Sequence, residues 1–273
     1  MRKILLFLLL LTNFYAYTIV NGDIEILRTT TNNADKIFIN QKQSKWIPSP
    51  VNKTHMIALV SSNYRNSKNI IVELYSGEDK QVIEFELIQG DYKKEQISVE
   101  PSMSSPSKEN QERINKEASE AYAIYAQSSD EFLFDSKFEV PMNSFITSNF
   151  GNARLFNGSL KSYHSGTDFR AAVGTPIKAT NDGIVRLAKD RYYAGGSVIL
   201  DHGAGIYSQY YHLSQINTKS GDRVKKGDIL GLSGATGRVS GPHLHFGIMV
   251  NGNSVEPLKF IEKINYSLFD IDK

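Results

Sequence analysis

The stretch Gly241-Pro242-His243-Leu244-His245-Phe246 carries two histidines one residue apart, and the apolar run Gly247-Ile248-Met249-Val250 follows it. This alternation predicts a β-strand, in which successive side chains point to opposite faces. Both imidazoles then lie on one face, while Leu244 and Phe246 face a core. A lone histidine on a strand is usually a hydrogen-bonded structural residue, but two histidines on one face favour a binding site.

Two upstream segments supply further candidate residues, His164-Ser165-Gly166-Thr167-Asp168 and Tyr211-His212-Leu213. Zinc is held by neutral imidazole and by carboxylate, and a catalytic zinc site has three protein ligands and an open position. His164, Asp168 and His245 would form such a set. The spacing of the first two alone is a weak signal, because such pairs occur by chance and the aspartate could merely cap a turn.

Taken in this order, the segments resemble the catalytic domain of the LytM/lysostaphin-like zinc endopeptidases, which cut peptide bonds in peptidoglycan. The resemblance covers a little under half of the chain, from about Phe138 to about Ile264. Thr167 and Ile206-Tyr207-Ser208 depart from the typical family residues, and neither departure removes a candidate ligand. Further segments that resemble the family are Phe150-Gly151, residues 174–179, residues 182–185, residues 221–231, Gly234-Ala235-Thr236-Gly237 and Glu256-Pro257-Leu258.

The resemblance implies a role for each candidate residue. His164, Asp168 and His245 would bind Zn²⁺, and His212 and His243 would be the catalytic residues that transfer protons and stabilise the developing oxyanion. Such an ion polarises a peptide carbonyl and lowers the pKa of bound water to about 7. Histidine suits proton transfer because its unperturbed pKa is about 6.5.

The order of segments is similar to that of the cell-shape-determining peptidoglycan endopeptidases of curved and helical Gram-negative bacteria. This similarity implies peptidoglycan peptide stems and cross-links as the partner. It also implies cleavage of the D-alanyl to meso-diaminopimelate cross-link, with carboxypeptidase trimming of pentapeptides as a second activity. Related latent enzymes place an upstream side chain at the open metal position, which suggests that the N-terminal domain restrains the active site.

Other functions stay open from the sequence alone. A glycine-bridge hydrolase is disfavoured because no cell-wall-targeting repeat is recognisable. Some proteins of this fold have lost their ligands and activate separate amidases, which would make this chain a non-hydrolytic activator or binding module. The presence of all five candidate residues argues against that alternative.

The N-terminus has the features of a secretory signal. Met1-Arg2-Lys3 is a charged start and Ile4 to Leu11 is a short apolar run, so residues 1–16 form the predicted signal peptide. The run is shorter than the roughly 20 apolar residues that span a bilayer, although an uncleaved anchor is the alternative. The prediction is an exported, periplasmic protein with no stable membrane span after cleavage. The chain has no cysteine, so it has neither a lipid-attachment cysteine nor a disulfide framework.

Charge argues against nucleic acid as a partner. The 31 Lys and Arg residues outnumber the 29 Asp and Glu residues by two. Removal of the signal segment takes away Arg2 and Lys3 and no acidic residue, so the remaining chain is formally neutral. A neutral chain offers no general attraction for an anionic polymer. With 40% hydrophobic and 22% charged residues, the composition is that of an ordinary globular protein of two domains.

The predicted fold is mainly β. Residues 17–100 contain short alternating strands between turn formers and predict a small β-sandwich-like N-terminal domain. Residues 101–137 form a linker with a connector helix, residues 138–264 an antiparallel LytM-type catalytic domain, and residues 265–273 a tail. In the helix, Ser105 is the predicted N-cap and Pro106 lies in the first turn. Its predicted apolar stripe is Ile114, Ala118, Ala121, Tyr122 and Tyr125.

The connector helix has two interpretations. It either packs this stripe on one domain as a structural element, or it positions the N-terminal domain over the active site. His202 is left out of the predicted site, because it lies in a glycine-rich hairpin turn between two strands.

Overall fold

The computed structural model describes residues 17–127, 129–158 and 160–271. The predicted signal peptide, residues 1–16, lies outside the described residues. Among the described residues, no helix is both long enough and apolar enough to cross a membrane.

The first part of the described chain is built of short strands, as the alternating polarity predicts. They are β1 (Tyr17–Val20), β2 (Ile24–Thr30), β3 (Lys36–Ile39), β4 (Lys42–Ser44), β5 (Ile47–Pro48), β6 (His55–Ser61), β7 (Ile70–Ser76), β8 (Asp79–Ile88) and β9 (Lys94–Ile97), with a 3₁₀ turn at Thr31–Asn33 after β2.

Two sheets form the N-terminal sandwich, with strand orders β1-β8-β7-β3-β4 and β2-β6-β5. Alternation along β6 gives the smaller sheet two apolar faces. Ala58 and Val60 pack into the core between the two sheets. Ile57 and Leu59 pack on the other side, into the same core as the C-terminal domain. The predicted β-sandwich is confirmed, and its smaller sheet is shared between two cores.

Strand β9 leaves the sandwich. It pairs in parallel with Ala153–Phe156, with Glu95 opposite Arg154. The sequence groups this strand with the N-terminal ones, since alternation identifies a strand without identifying its partner. A strand from the N-terminal part of the chain therefore extends a sheet beside the predicted active site.

Two helices follow, α1 (Pro101–Ser104) and α2 (Lys108–Tyr125). The predicted start of the connector helix is two residues early. Ser107 is extended and its hydroxyl accepts a hydrogen bond from the Asn110 N–H at 3.2 Å, so Ser107 is the N-cap instead of Ser105.

Helix α2 packs on the C-terminal sheet through residues four apart. Glu117, Ala121 and Tyr125 are buried, and the last two contact a cluster that includes Leu187. Tyr122 belongs to the predicted stripe, but it is 69% exposed, because residue 122 lies about 100° around the helix from residue 121.

The C-terminal domain is an antiparallel sheet with short appended strands. The strands are β10 (Ile146–Ser148), β11 (Ala153–Phe156), β12 (Leu160–Tyr163), β13 (Thr167–Arg170), β14 (Pro176–Lys178), β15 (Gly183–Arg191), β16 (Gly195–Asp201), β17 (Ile206–Ile216), β18 (Arg223–Val224), β19 (Ile229–Ser233), β20 (His243–Val250) and β21 (Asn253–Val255). The main sheet has the order β10-β13-β20-β17-β16-β15-β18, with β14 and β19 paired beside it and β21 paired to β20.

The chain ends in helix α3 (Pro257–Asn265) and a π-helical turn at Tyr266–Asp270. Glu256 caps α3 by accepting from the N–H groups of Leu258 and Lys259, and the first helical position is a proline. Phe260 and Ile264 are fully buried. The turn lies within the predicted tail, yet it buries Leu268.

Candidate active site

The register of strands β13 and β20 brings predicted site residues to one face of the sheet. Asp168 lies opposite His245, and Arg170 lies opposite His243. Directly opposed residues project to the same face. On the other face, Leu244 and Phe246 are fully buried in the core, as the alternation predicts.

His164 precedes β13 and completes a group of three ligand-type side chains, the His-Asp-His cluster. Its Nε2 lies 2.8 Å from Asp168 Oδ1 and 2.9 Å from His245 Nδ1, and the last two atoms are 2.9 Å apart. All three residues are buried. Among the described residues, this is the group of His, Cys, Asp or Glu side chains whose geometry could hold a metal ion.

Hydrogen bonding indicates that the cluster is built for a cation. His164 Nδ1 lies 2.8 Å from the Asn149 carbonyl oxygen, which can only accept, so Nδ1 carries a proton, and in the metal-binding form of the ring Nε2 is the deprotonated nitrogen. The lone pair of Nε2 then points at a carboxylate oxygen. A proton on His245 Nδ1 can form a hydrogen bond with His164 Nε2 or with Asp168 Oδ1, but not with both at once. A cation bound between these three atoms removes the repulsion between the lone pairs that no proton separates. Two imidazoles and one carboxylate are ligand types that zinc prefers.

The pKa values of this region suit metal binding. Burial lowers the pKa of His245 to about 4 against the opposing charge of Asp168. Burial works against ionisation of Asp168, but the imidazoles of His164 and His245 outweigh it and hold the pKa of this carboxyl well below its usual range. Near neutral pH, His245 is therefore uncharged and Asp168 is ionised, which are the ligand forms that bind metal.

His212 reaches the same site through an irregularity in β17. The pairing of β16 with β17 shifts between Gly196–Leu213 and Val198–Tyr210, so β17 contains a bulge. Regular alternation would turn the side chain of residue 212 away from that of Tyr211. Instead His212 has φ of +64°, which is rare for a residue with a side chain, and its ring centroid lies 4.7 Å from that of His243.

His212 and His243 share one arrangement. His212 Nδ1 lies 2.8 Å from the Thr236 carbonyl oxygen, and His243 Nδ1 lies 2.8 Å from the Gly241 carbonyl oxygen. Each Nδ1 therefore carries the proton, and each Nε2 is the basic nitrogen. Burial, together with charge on neighbouring histidines, lowers the pKa of His212 well below its usual value. The structure thus brings all five predicted site residues together.

Sequence patterns do not identify Arg154, which contacts the cluster from β11. Its Nη2 donates to Asp168 Oδ2 at 2.7 Å and to Ser148 Oγ at 3.0 Å. Its Nε donates to Glu95 on β9 at 3.4 Å. No spacing signal marks Arg154, since its approach depends on how the β11–β12 hairpin folds over the sheet.

Tyr211 stands out in the sequence only as a neighbour of His212, yet its ring stacks parallel to that of His245, with the ring centroids 5.3 Å apart.

A groove of about 270 Å³ opens at the cluster. Helix α2 forms part of its wall, so this helix lies against the predicted active site as well as against the sheet. The lining of the groove includes Ile114, Ala118, His164, His212, Arg238 and His245.

His202 lies outside this site, in the connection between β16 and β17. It is fully buried, and its Nδ1–H donates to the Asp182 carbonyl oxygen at 2.6 Å. Its Nε2 accepts from Ser208 Oγ, 2.7 Å away, and that hydroxyl contacts the Tyr210 hydroxyl at 2.9 Å. Burial lowers the pKa of His202 to about 4, although the Asp182 carbonyl opposes the shift. His202 therefore lies in the connection that the sequence predicts, and its side chain is a hydrogen-bonded part of the sheet core.

Comparison with known proteins agrees with this geometry. Residues 162–257 match the model of peptidase family M23. Peptidoglycan DD-endopeptidase ShyA of Vibrio cholerae is 43% identical over 115 residues, which are 42% of this chain and 27% of ShyA. Lysostaphin of Staphylococcus simulans is 43% identical over 109 residues, 38% of this chain and 22% of lysostaphin. The chain thus spans about a quarter of the length of these curated relatives.

The likeness in structure extends beyond the matched segment. A Pseudomonas aeruginosa protein assigned to peptidase M23 has a crystal structure that matches with a TM-score of 0.70 and 26% identity. The match covers 91% of this chain and 97% of that one, so it includes the N-terminal strands. The C-terminal domain, in which residues 162–257 match the family model, is therefore a domain of peptidase family M23.

Proposed function

We propose that this protein is a zinc-dependent endopeptidase of peptidoglycan that hydrolyses the D-alanyl to meso-diaminopimelate cross-link. The main observation that supports this proposal is the buried His-Asp-His cluster, beside which lie the imidazoles of His212 and His243. The similarity to ShyA, a peptidoglycan DD-endopeptidase, supports this bond. DD-carboxypeptidase trimming is part of the proposal, as is a role in cell-wall remodelling and cell shape after export to the periplasm.

In this proposal, His164, Asp168 and His245 hold Zn²⁺. When bound, the ion supplies a Lewis acid for the peptide carbonyl and makes water acidic enough to react near pH 7. The tautomers of this site prepare the remaining residues for proton transfer. His212 and His243 present Nε2 toward the site because a backbone carbonyl fixes the proton on Nδ1 of each ring.

One of these two imidazoles takes a proton from the attacking water, and the protonated form returns it to the leaving amine. The other takes a proton on Nε2 from solvent before the reaction and donates it in a hydrogen bond to the developing oxyanion. Their rings lie 4.7 Å apart, so both can reach one peptide group. Stacking of Tyr211 on His245 restricts the rotation of the proposed ligand.

Digestion of purified peptidoglycan with the mature chain tests the proposal, with released fragments identified by mass spectrometry. We expect cleavage at D-alanyl to meso-diaminopimelate bonds and no cleavage of pentaglycine bridges in a staphylococcal wall preparation. A chelator should abolish cleavage, and added Zn²⁺ should restore it. Full activity of a demonstrably metal-free preparation contradicts the metallopeptidase mechanism. Binding to peptidoglycan without any cleavage by the metal-loaded chain would favour the non-hydrolytic binding module instead.

A further inference from the structure

Arg238 is held between two aromatic rings at the wall of the groove. Its guanidinium carbon lies 4.1 Å from the ring centroid of Phe156 and 4.0 Å from that of Tyr193. A planar guanidinium between two rings has little rotational freedom, and its N–H groups are directed outward along its edges. Arg238 is therefore a pre-oriented cation.

The backbone around Arg238 ties it to the catalytic residues. Its N–H donates to the Tyr193 carbonyl at 2.8 Å. Two residues earlier, the Thr236 carbonyl accepts from His212 Nδ1 at 2.8 Å. The segment that fixes the tautomer of His212 thus also fixes the position of Arg238, and both side chains line the groove.

Other charged side chains of the groove have hydrogen-bond partners, including Arg191, whose Nη2 donates to the Glu117 carbonyl oxygen at 3.3 Å. Arg154 is bonded to Asp168 and Glu95, and the Glu117 carboxylate accepts from Arg113 and from the N–H of Tyr192. In the described ranges, Arg238 forms no ion pair and no side-chain hydrogen bond, and the titratable groups that act on its charge are Tyr193 and Arg154.

We propose that Arg238 binds a free carboxylate of the substrate peptide close to the scissile bond, which makes the groove selective for anionic peptides. This assignment rests on the proposed endopeptidase function and makes Arg238 a specificity-determining residue. A guanidinium pairs with a carboxylate through two parallel N–H···O bonds, and the two rings reduce the entropy lost when that pair forms. An amide in place of the carboxylate removes the charge and turns one acceptor into a donor that faces the N–H groups.

The experiment compares two synthetic cross-linked peptides that differ at one position, a free carboxylate or a carboxamide next to the scissile bond. Equilibrium binding and kcat/KM are measured for both peptides with the full, metal-loaded chain. We expect the wild type to prefer the carboxylate by about 10- to 100-fold, the range for a charge-assisted hydrogen-bonded pair. Arg238→Gln should reduce this preference to less than about threefold, mainly through KM and Kd. Arg238→Lys, which keeps the charge without the planar fork, should lie between them.

Arg223→Gln is the matched control, since it removes an exposed arginine from strand β18 at the far end of the sheet. It should keep the wild-type preference. Equal affinity of the wild type for the two peptides overturns the assignment, and this comparison needs no variant. An unchanged preference in a folded, zinc-loaded Arg238→Gln protein overturns it as well. Because binding is measured apart from cleavage, a carboxylate preference without hydrolysis contradicts the proposed function and leaves the assignment of Arg238 supported.

Discussion

Arg154 Nη2 donates to Asp168 Oδ2 at 2.7 Å, while Oδ1 of the same carboxylate faces His164 and His245. The arginine therefore divides the carboxylate into one oxygen bound to protein and one oxygen available to a metal. It also links the cluster to Glu95, which lies on a strand from the N-terminal part of the chain.

Arg154→Gln should weaken zinc binding because Asp168 loses the donor that orients it. Losing an outer hydrogen bond to a metal ligand commonly costs 10- to 100-fold in affinity, and we expect an effect of about that size. Competition with a chromophoric chelator measures it. Arg186→Gln is the control, since it breaks a guanidinium–carboxylate pair with Asp201 of 2.6 Å away from the cluster. Equal zinc affinity in the Arg154→Gln and Arg186→Gln proteins would remove Arg154 from the proposed site.

His243 and His245 lie on one strand face but should differ in function. His245→Ala removes a proposed ligand, so zinc content should fall with activity. His243→Ala should keep most of the zinc and lose about 10²- to 10⁴-fold in turnover, the usual contribution of a proton-transfer residue. Metal analysis beside turnover for the two folded variants separates the roles. If His243→Ala loses zinc as completely as His245→Ala, both histidines are ligands or their functions are exchanged.

Helix α2 should restrain the active site, because it forms one wall of the groove. Ala121 is 6% exposed and packs against the C-terminal sheet. Ala121→Asp buries a charge there and should loosen the helix at a cost of a few kcal/mol, with a several-fold rise in peptidoglycan cleavage. Ala123→Asp places the same charge on the exposed face of the same helix and should leave the rate unchanged. A folded, zinc-loaded Ala121→Asp protein that is no faster than wild type would show that α2 does not restrain the site.

His202 should make stability depend on pH. Its pKa of about 4 in the fold lies below the ordinary histidine value of 6.5, so between these values the unfolded chain binds more protons than the native one. The free energy of unfolding then falls as pH decreases from 6.5 to 4, by about 3 kcal/mol from this residue. His202→Gln should flatten that dependence in urea titrations. Tyr210→Phe removes a hydroxyl of the same hydrogen-bonded chain and should lower stability while leaving the pH slope unchanged. A slope that His202→Gln does not alter would contradict the prediction.

Alternation predicts most of the strands, and motif order, through the family resemblance that it carries, predicts all five clustered histidine and aspartate residues. Both properties are local, since a strand's period and the spacing of ligands can be read along the chain. Arg154 escapes prediction because its contact with Asp168 depends on a hairpin that crosses from another sheet. The bulge at His212 escapes it because its backbone conformation is stabilised by a tertiary hydrogen bond from its N–H to the Ala194 carbonyl. The partner of β9 depends likewise on which strand edge lies nearby.

The small sheet β2-β6-β5 has a consequence for how this protein can be divided. Its outer face shares a core with Phe260 and Ile264 of α3, and Lys263 Nζ bonds to Asp23 and Glu25 beside it. A C-terminal fragment cut at the linker would expose that apolar face of α3 to solvent, and the fragment would be prone to self-association. Protein engineers who want the hydrolase alone, or a chimera with a different wall-binding module, should therefore retain the small sheet or redesign the helix face with polar residues.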